Sequence, residues 1–185
     1  RVNDSGAKHV FMFMPVGPMS AGLIKAFYER GLHKQGIFLM ATNETMESDL
    51  PAIGAGAVGM ITAQHYTPYL DTPTNKAFVE RYKAKFGADA IPSLASLAVY
   101  DGMHMIARMV EATDGKKDGD KAIEAIKGFA WESPRGPVKI DADTREIVQN
   151  VYMRRIENVD GKLGNVPFFT FEAVPEPWHV REAAK

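Results

Sequence analysis

Glu44 stands in the stretch TNETMES with Asn43 before it and Thr45 after it. A single carboxylate among small polar side chains is either a solvated loop acid or a counter-charge for the ammonium group of a small ligand. Tyr66, in AQHYTPY, offers a ring to stack and a hydroxyl to bond, or it is a partly buried hinge aromatic. Val16, Gly17 and Pro18 form a bend between an apolar run and an amphipathic one. Such a bend is an ordinary strand-to-helix turn, or it presents backbone amides and a helix N-terminus to a carboxylate or another anion.

These three stretches matter together only if the chain brings them to one place. Residues 8–14 are a short apolar run, which reads as a strand buried on both faces, as in a parallel sheet. A helix follows over residues 20–30, with Leu23, Ile24, Phe27 and Tyr28 on one stripe, closed by Gly31. Further strands are predicted at 37–41 and 58–62, with a short turn at 50–53 between them. The first third therefore reads as parallel strands with right-handed crossovers, and the loops leaving their C-terminal ends share one edge of the sheet. Those loops are VGPMS, TNETMES and AQHYTPY, the three stretches that could do chemistry.

The middle of the chain reads as helical. Thr74 is a candidate cap for a helix carrying Phe78, Val79, Tyr82 and Phe86 and ended by Gly87. Ser93 caps a second helix with Leu94, Leu97, Ala98, Ile106 and Val110, and a third covers residues 121–127. After SPRGP, strands are predicted at 138–140, 148–156 and 166–171, with Asp160-Gly161 as the hairpin turn between the last two. The final stretch AVPEPWHVREAAK reads as a loosely docked tail. RVNDSGAKH reads as the end of a helix running into a strand, which predicts that a longer chain precedes it.

Several patterns resemble sites without meeting their requirements. GAGAVG at 54–59 has dinucleotide-fingerprint spacing, but a strand leaves it where a helix is required, so the glycines read as a flexible approach to the strand. DADTRE begins like a calcium loop, yet Glu146 stands where glycine is needed and Tyr152 where a bidentate glutamate is needed, so a tight turn between strands is expected. The five histidines form no HExxH or similar close pair, and there is neither a nucleophile elbow nor a phosphate loop. No cofactor and no metal is expected, and no residue pattern argues for catalysis. The Met and Phe residues of VFMFM, MHMIARM and FFTF read as core.

Twenty-two basic against 23 acidic side chains leave a net charge of -1 with no dense basic cluster, so no nucleic-acid partner is expected. The longest apolar run is far below the roughly 18 residues a membrane span requires, which predicts no membrane insertion. Without cysteine there is no disulfide and no thiolate ligand or nucleophile.

In order along the chain, FMFMPVGPMSAGLIKAFYERGL, ATNETMESDLP, GMITAQHYTPYLDTPTNKAFVERYKAKFG, SLAVYDGMHMI and AWESPRGPVKIDADTREIVQNVYMRRIE resemble the solute-binding component of branched-chain amino acid ABC transporters. The resemblance implies a type I periplasmic binding protein: two Rossmann-like α/β lobes, each built on a parallel sheet, that close on a ligand. It implies that only the C-terminal half is present. On this reading residues 1–65 are the first part of the C-terminal lobe, 66–130 the hinge and helices of the N-terminal lobe, and 131–185 the return to the C-terminal lobe and the tail. The resemblance assigns ligand contacts to Val16, Gly17, Pro18, Asn43 and Glu44, and less firmly to Tyr66 and to Tyr100, whose other reading is lobe packing. It implies a non-enzymatic extracytoplasmic receptor that passes an amino acid or related amide to a membrane permease, with an aromatic or aliphatic carboxylate as the alternative ligand. A further alternative is an α/β enzyme whose catalytic groups lie outside these residues.

Overall fold

The structure is a computed structural model and describes residues 2–175. The chain divides into two compact units. The first comprises residues 1–69 and 152–170, and the second comprises 70–151 and the residues from 171 on.

In the first unit β1 (His9–Phe11), β2 (Phe38–Ala41) and β3 (Ile61–Gln64) are parallel neighbours. Between them run α1 (Pro18–Glu29) and the short α2 (Leu50–Ile53). The sheet continues through β6 (Ile147–Val159), antiparallel to β3 with Thr62 opposite Arg154, and β7 (Lys162–Val174) pairs with β6. The mixed α/β layout carries the expected parallel core, with antiparallel strands added at one side. Ile24 and Phe27 of α1 pack with Leu39, Leu50, Ile53, Met60 and Ile156 in one apolar cluster. Gly17 caps α1 at φ 117°, a conformation that any side chain would strain, and Pro18 fills the first helical position, where its missing N–H costs nothing.

The third strand begins three residues later than predicted. Residues 55–57 of GAGAVG make a short 3₁₀ turn, and the Gly59 N–H bonds Ile156 O at 2.8 Å, so the glycines do serve as an approach to β3. The apolar run at 8–14 is not buried on both faces. Met12 is buried against the α1 cluster, but Phe11 and Phe13, which alternate with it and project from the opposite face, are 61% and 80% exposed. Leu23, Met103, Phe168, Phe169 and Phe171 are likewise exposed rather than core.

The second unit holds α3 (Pro73–Phe86), α4 (Leu94–Thr113), α5 (Gly119–Ile126) and the hairpin β4 (Ala130–Ser133) and β5 (Gly136–Ile140). The cap of α3 is Thr72 rather than Thr74: its side chain accepts the Asn75 N–H, and Pro73 takes the next position. Ser93 caps α4 through a reciprocal bond with Ser96, as its sequence position suggests. AWES is too short and polar to signal a strand, yet it forms β4 by pairing with β5 across the Ser133-Gly136 turn. The Asp141 carboxylate accepts the N–H groups of Asp143 and Thr144, which makes DADTRE the tight turn expected of it. Asp160 and Gly161 both have positive φ, as a two-residue hairpin between β6 and β7 requires. Of the predicted tail, residues 173 and 174 belong to β7, and 176–185 lie outside the described residues.

Candidate functional site

The exits of three parallel strands lie on one edge of the first unit, and Glu44 joins two of them. Its carboxylate Oε1 accepts the Met14 N–H, just beyond β1, at 2.9 Å. Oε2 accepts the Thr42 N–H, just beyond β2, at 2.7 Å. The Thr42 hydroxyl lies 2.9 Å from both Glu44 Oε2 and Asn43 Oδ1, with one proton to give to either. The side chain of Glu44 is fully buried, so the solvated-acid reading of this residue is wrong. Burial alone would push its carboxyl up; the bonds from the Met14, Glu44 and Thr42 N–H groups and the Thr42 hydroxyl outweigh it and hold the pKa below the ordinary glutamate range.

The third exit is fastened from the other side of the sheet. Arg154, on β6 opposite Thr62, sends Nη1 to Tyr66 O at 3.0 Å and Nη2 to Thr42 O at 3.2 Å. One guanidinium therefore holds the carbonyls of the loops after β2 and β3. Beside it the buried Asn165 of β7 donates to Thr45 O and to Glu47 Oε1, and accepts from the Thr62 hydroxyl. Its carbonyl takes the Thr67 hydroxyl. Thr62, Arg154 and Asn165 are strand residues, while Glu44, Thr45, Glu47 and Thr67 come from the loops that follow β2 and β3.

Among the predicted site residues, Val16, Gly17, Pro18, Asn43, Glu44 and Tyr66 belong to the first unit. Val16 is exposed in the turn. Gly17 and Pro18 border a cavity of about 340 Å³ that Lys25 and Asp49 also line. Asn43 is half-buried beside Thr42. Tyr66 is buried, and burial, with the charge of Glu47 added, pushes its hydroxyl pKa well up. Its ring is a buried aromatic of the first unit rather than a solvent-facing one. Tyr100 lies on α4 in the second unit, where its ring packs 5.0 Å from both Phe78 and His104 and its hydroxyl accepts from Arg81 at 3.4 Å. That is the lobe-packing environment of its second reading.

Thr42, Glu47, Arg154 and Asn165 were not singled out from the sequence. The signal for Arg154 was available: in YMRRIE, Tyr152, Arg154 and Ile156 alternate with Met153, Arg155 and Glu157, and the first three are the buried set. Among the described residues no three His, Asp or Glu side chains are grouped so as to hold a metal ion. No described helix is long and apolar enough to cross a membrane.

Comparison with known proteins agrees with this geometry. A periplasmic binding protein family model matches residues 1–162. The Leu/Ile/Val-binding protein homolog 6 of Brucella melitensis biotype 1 is 48% identical over 179 residues, which is 96% of this chain and 46% of that protein. The chain thus spans about half the length of the curated relatives it matches. A solute-binding protein of an ABC transporter from Rhodopseudomonas palustris HaA2, solved with p-hydroxybenzoic acid, superposes with a TM-score of 0.90 at 45% identity. The match covers 98% of this chain and 49% of that one. A second R. palustris solute-binding protein, solved with 4-hydroxybenzoate, gives 0.90 at 42% identity over 97% of this chain and 49% of that one. The edge of converging strand exits is thus part of a known architecture, and the chain belongs to the periplasmic binding protein family.

Proposed function

We propose that this chain forms the C-terminal half of a solute-binding receptor for an ABC importer, acting outside the cytoplasm and without catalysis. The observation that carries the proposal is the shared edge on which the exits of β1, β2 and β3 meet, fixed by Glu44 and Arg154. A fixed, preorganised rim loses little entropy when a small solute docks, which suits capture of a ligand. In this reading the first unit is the ligand-holding part of the C-terminal lobe, α3 to α5 belong to the N-terminal lobe, and a membrane permease receives the solute. Val16, Gly17, Pro18, Asn43 and the Tyr66 segment line the ligand side.

Two ligand classes are in play. The names of the curated relatives support an amino acid or related amide. The state of Glu44 favours the other class, an aromatic carboxylate of the hydroxybenzoate kind. Its carboxylate is fully buried and is taken up with two main-chain N–H groups and a shared hydroxyl, so it presents no exposed oxygen to an ammonium. The solved relatives at 45% and 42% identity carry p-hydroxybenzoic acid and 4-hydroxybenzoate.

Native mass spectrometry of the gently purified full-length protein, followed by calorimetric titration with leucine, 4-hydroxybenzoate and benzoate, tests both steps. The expected outcome is 1:1 binding of 4-hydroxybenzoate with no turnover, and a thermal stabilisation of about 2.7 kcal/mol at roughly 100 times the dissociation constant. Conversion of any bound solute to product overturns the receptor reading; tight binding of leucine alone overturns the carboxylate assignment.

A further inference from the structure

Arg154 is 97% buried by its 3% relative exposure, yet no carboxylate lies within ion-pair distance of it among the described residues. Its guanidinium spends Nη1 and Nη2 on two main-chain carbonyls, and Nε has no hydrogen-bond partner. Burial draws its pKa down to about 10, while the charge of Glu47 acts in the opposite sense. As a device for stability this is poor, because desolvating a guanidinium is expensive and no ion pair offsets it. As a device for geometry it is well suited: a planar fork with donors at fixed spacing can hold two carbonyls a set distance apart, which neither Lys nor an apolar side chain can do.

The two carbonyls are not arbitrary. Thr42 O belongs to the residue whose N–H and hydroxyl bond Glu44, and Glu44 in turn holds Met14. Tyr66 O belongs to the segment through which the chain leaves the first unit, after Tyr69. Arg154 itself sits two residues past Tyr152, where the chain returns. The series Met14, Glu44, Thr42, Arg154, Tyr66 thus runs from the exit of β1, through that of β2, to the outgoing and returning segments.

We infer that Arg154 is a positioning residue for solute binding, which ties the strand-exit rim to the segments where the chain leaves and returns to the first unit, so that rim and segments hold one geometry. The inference rests on the receptor reading above. It assigns Arg154 no contact with the solute; its effect passes through Thr42 and Tyr66.

The test uses the full-length protein as wild type, Arg154→Met, Arg154→Lys and, as a control for a buried arginine in the second unit, Arg135→Met. Amide hydrogen exchange is followed without ligand, and dissociation constants are measured for 4-hydroxybenzoate and for leucine. In Arg154→Met the Met14 and Thr42 amides should exchange about tenfold faster, and affinity for whichever probe the wild type takes should weaken about tenfold, the equivalent of one charge-assisted hydrogen bond. Arg154→Lys should recover part of the protection, since one ammonium reaches one carbonyl. Arg135→Met should speed exchange in the second unit and leave both the Met14 and Thr42 amides and the dissociation constant within about twofold. Wild-type protection at Met14 and Thr42 in Arg154→Met overturns the inference, as does an equal loss of affinity in Arg135→Met. If the wild type takes neither probe, both ligand assignments fail by themselves, and the exchange rates at Met14 and Thr42 still decide whether the brace exists.

Discussion

Among the described residues each unit buries one arginine, Arg154 on β6 and Arg135 between β4 and β5, and the two are held in opposite ways. Arg135 in the second unit faces Asp101 of α4: Nη2 lies 2.6 Å and Nε 2.8 Å from Oδ2. The same carboxylate takes the Ser133 hydroxyl at 2.9 Å and the Trp131 indole N–H at 3.0 Å, and Gln149 accepts from Nη1 at 2.7 Å. Here charge meets charge, and the remaining donors are nearly all satisfied. Arg154 in the first unit meets only carbonyl oxygens and keeps an unpartnered Nε. The contrast separates two uses of one residue type. Arg135 and Asp101 join a helix to a hairpin as a directly bonded ion pair, whereas Arg154 holds loop backbones without one, with only the more distant charge of Glu47 acting on it.

The comparison breaks most visibly when a partner is removed. Asp101→Ala leaves the Arg135 guanidinium, the Trp131 N–H and the Ser133 hydroxyl buried without their acceptor, and should cost about 3–5 kcal/mol in a chemical-denaturation experiment. The double variant Asp101→Ala with Arg135→Met should recover part of that loss, because the stranded charge is gone. Arg154→Met should cost less than Asp101→Ala, since it removes a charge instead of stranding one. Finding Arg154→Met the more destabilising of the two would mean that Arg154, too, is chiefly a structural tie.

Acid sharpens the contrast next. The folded-state pKa of Glu44 lies below its unfolded value, so its contribution to stability is fully present above the unfolded pKa, about 4.3, and is lost as pH falls through the folded pKa. Protonation turns an acceptor of the Met14 and Thr42 N–H groups into a poorer one, and the rim should loosen. Glu44→Gln removes the titration. The difference in unfolding free energy between wild type and Glu44→Gln should therefore shrink steadily below about pH 4 and stay constant above about pH 6. A constant difference across the whole range would show that the Glu44 carboxylate is not held ionised by the rim.

The layout of these two regions was partly legible in the sequence. Alternating apolar and amphipathic runs indicated parallel strands whose exits share an edge, and the Ser93 cap and the Asp160-Gly161 turn lay where their side chains and φ requirements put them. Glu44 was visible as a candidate, but its burial was not, because its partners are main-chain N–H groups at Met14 and Thr42 that only strand pairing brings together. Arg154 hid in a segment whose period fitted strand and helix alike; only the strand reading turns Tyr152, Arg154 and Ile156 inward together. The Thr72 cap was legible in principle, since Pro73 after it suits the first helical position and leaves Thr74 inside the helix. The exposure of Phe11 and Phe13 is not legible, because a short apolar run reads the same whether one face of its strand is covered or both.

The smallest expected effect is the one that isolates the link between the two halves of the brace. Thr42→Val keeps the N–H that bonds Glu44 Oε2 and the carbonyl that accepts from Arg154, and removes only the hydroxyl shared between Glu44 and Asn43. Thr42 is half-buried and the hydroxyl proton serves one acceptor at a time, so the loss should be about 1 kcal/mol. Met14 protection should survive, because Glu44 Oε1 still accepts its N–H. The Asn43 side chain, relieved of its neighbour, should show the change in an amide-resolved spectrum. Should Thr42→Val instead abolish protection at Met14, the hydroxyl would be the hub of the rim. The backbone of Thr42, held from opposite sides by Arg154 and Glu44, would then be the lesser tie.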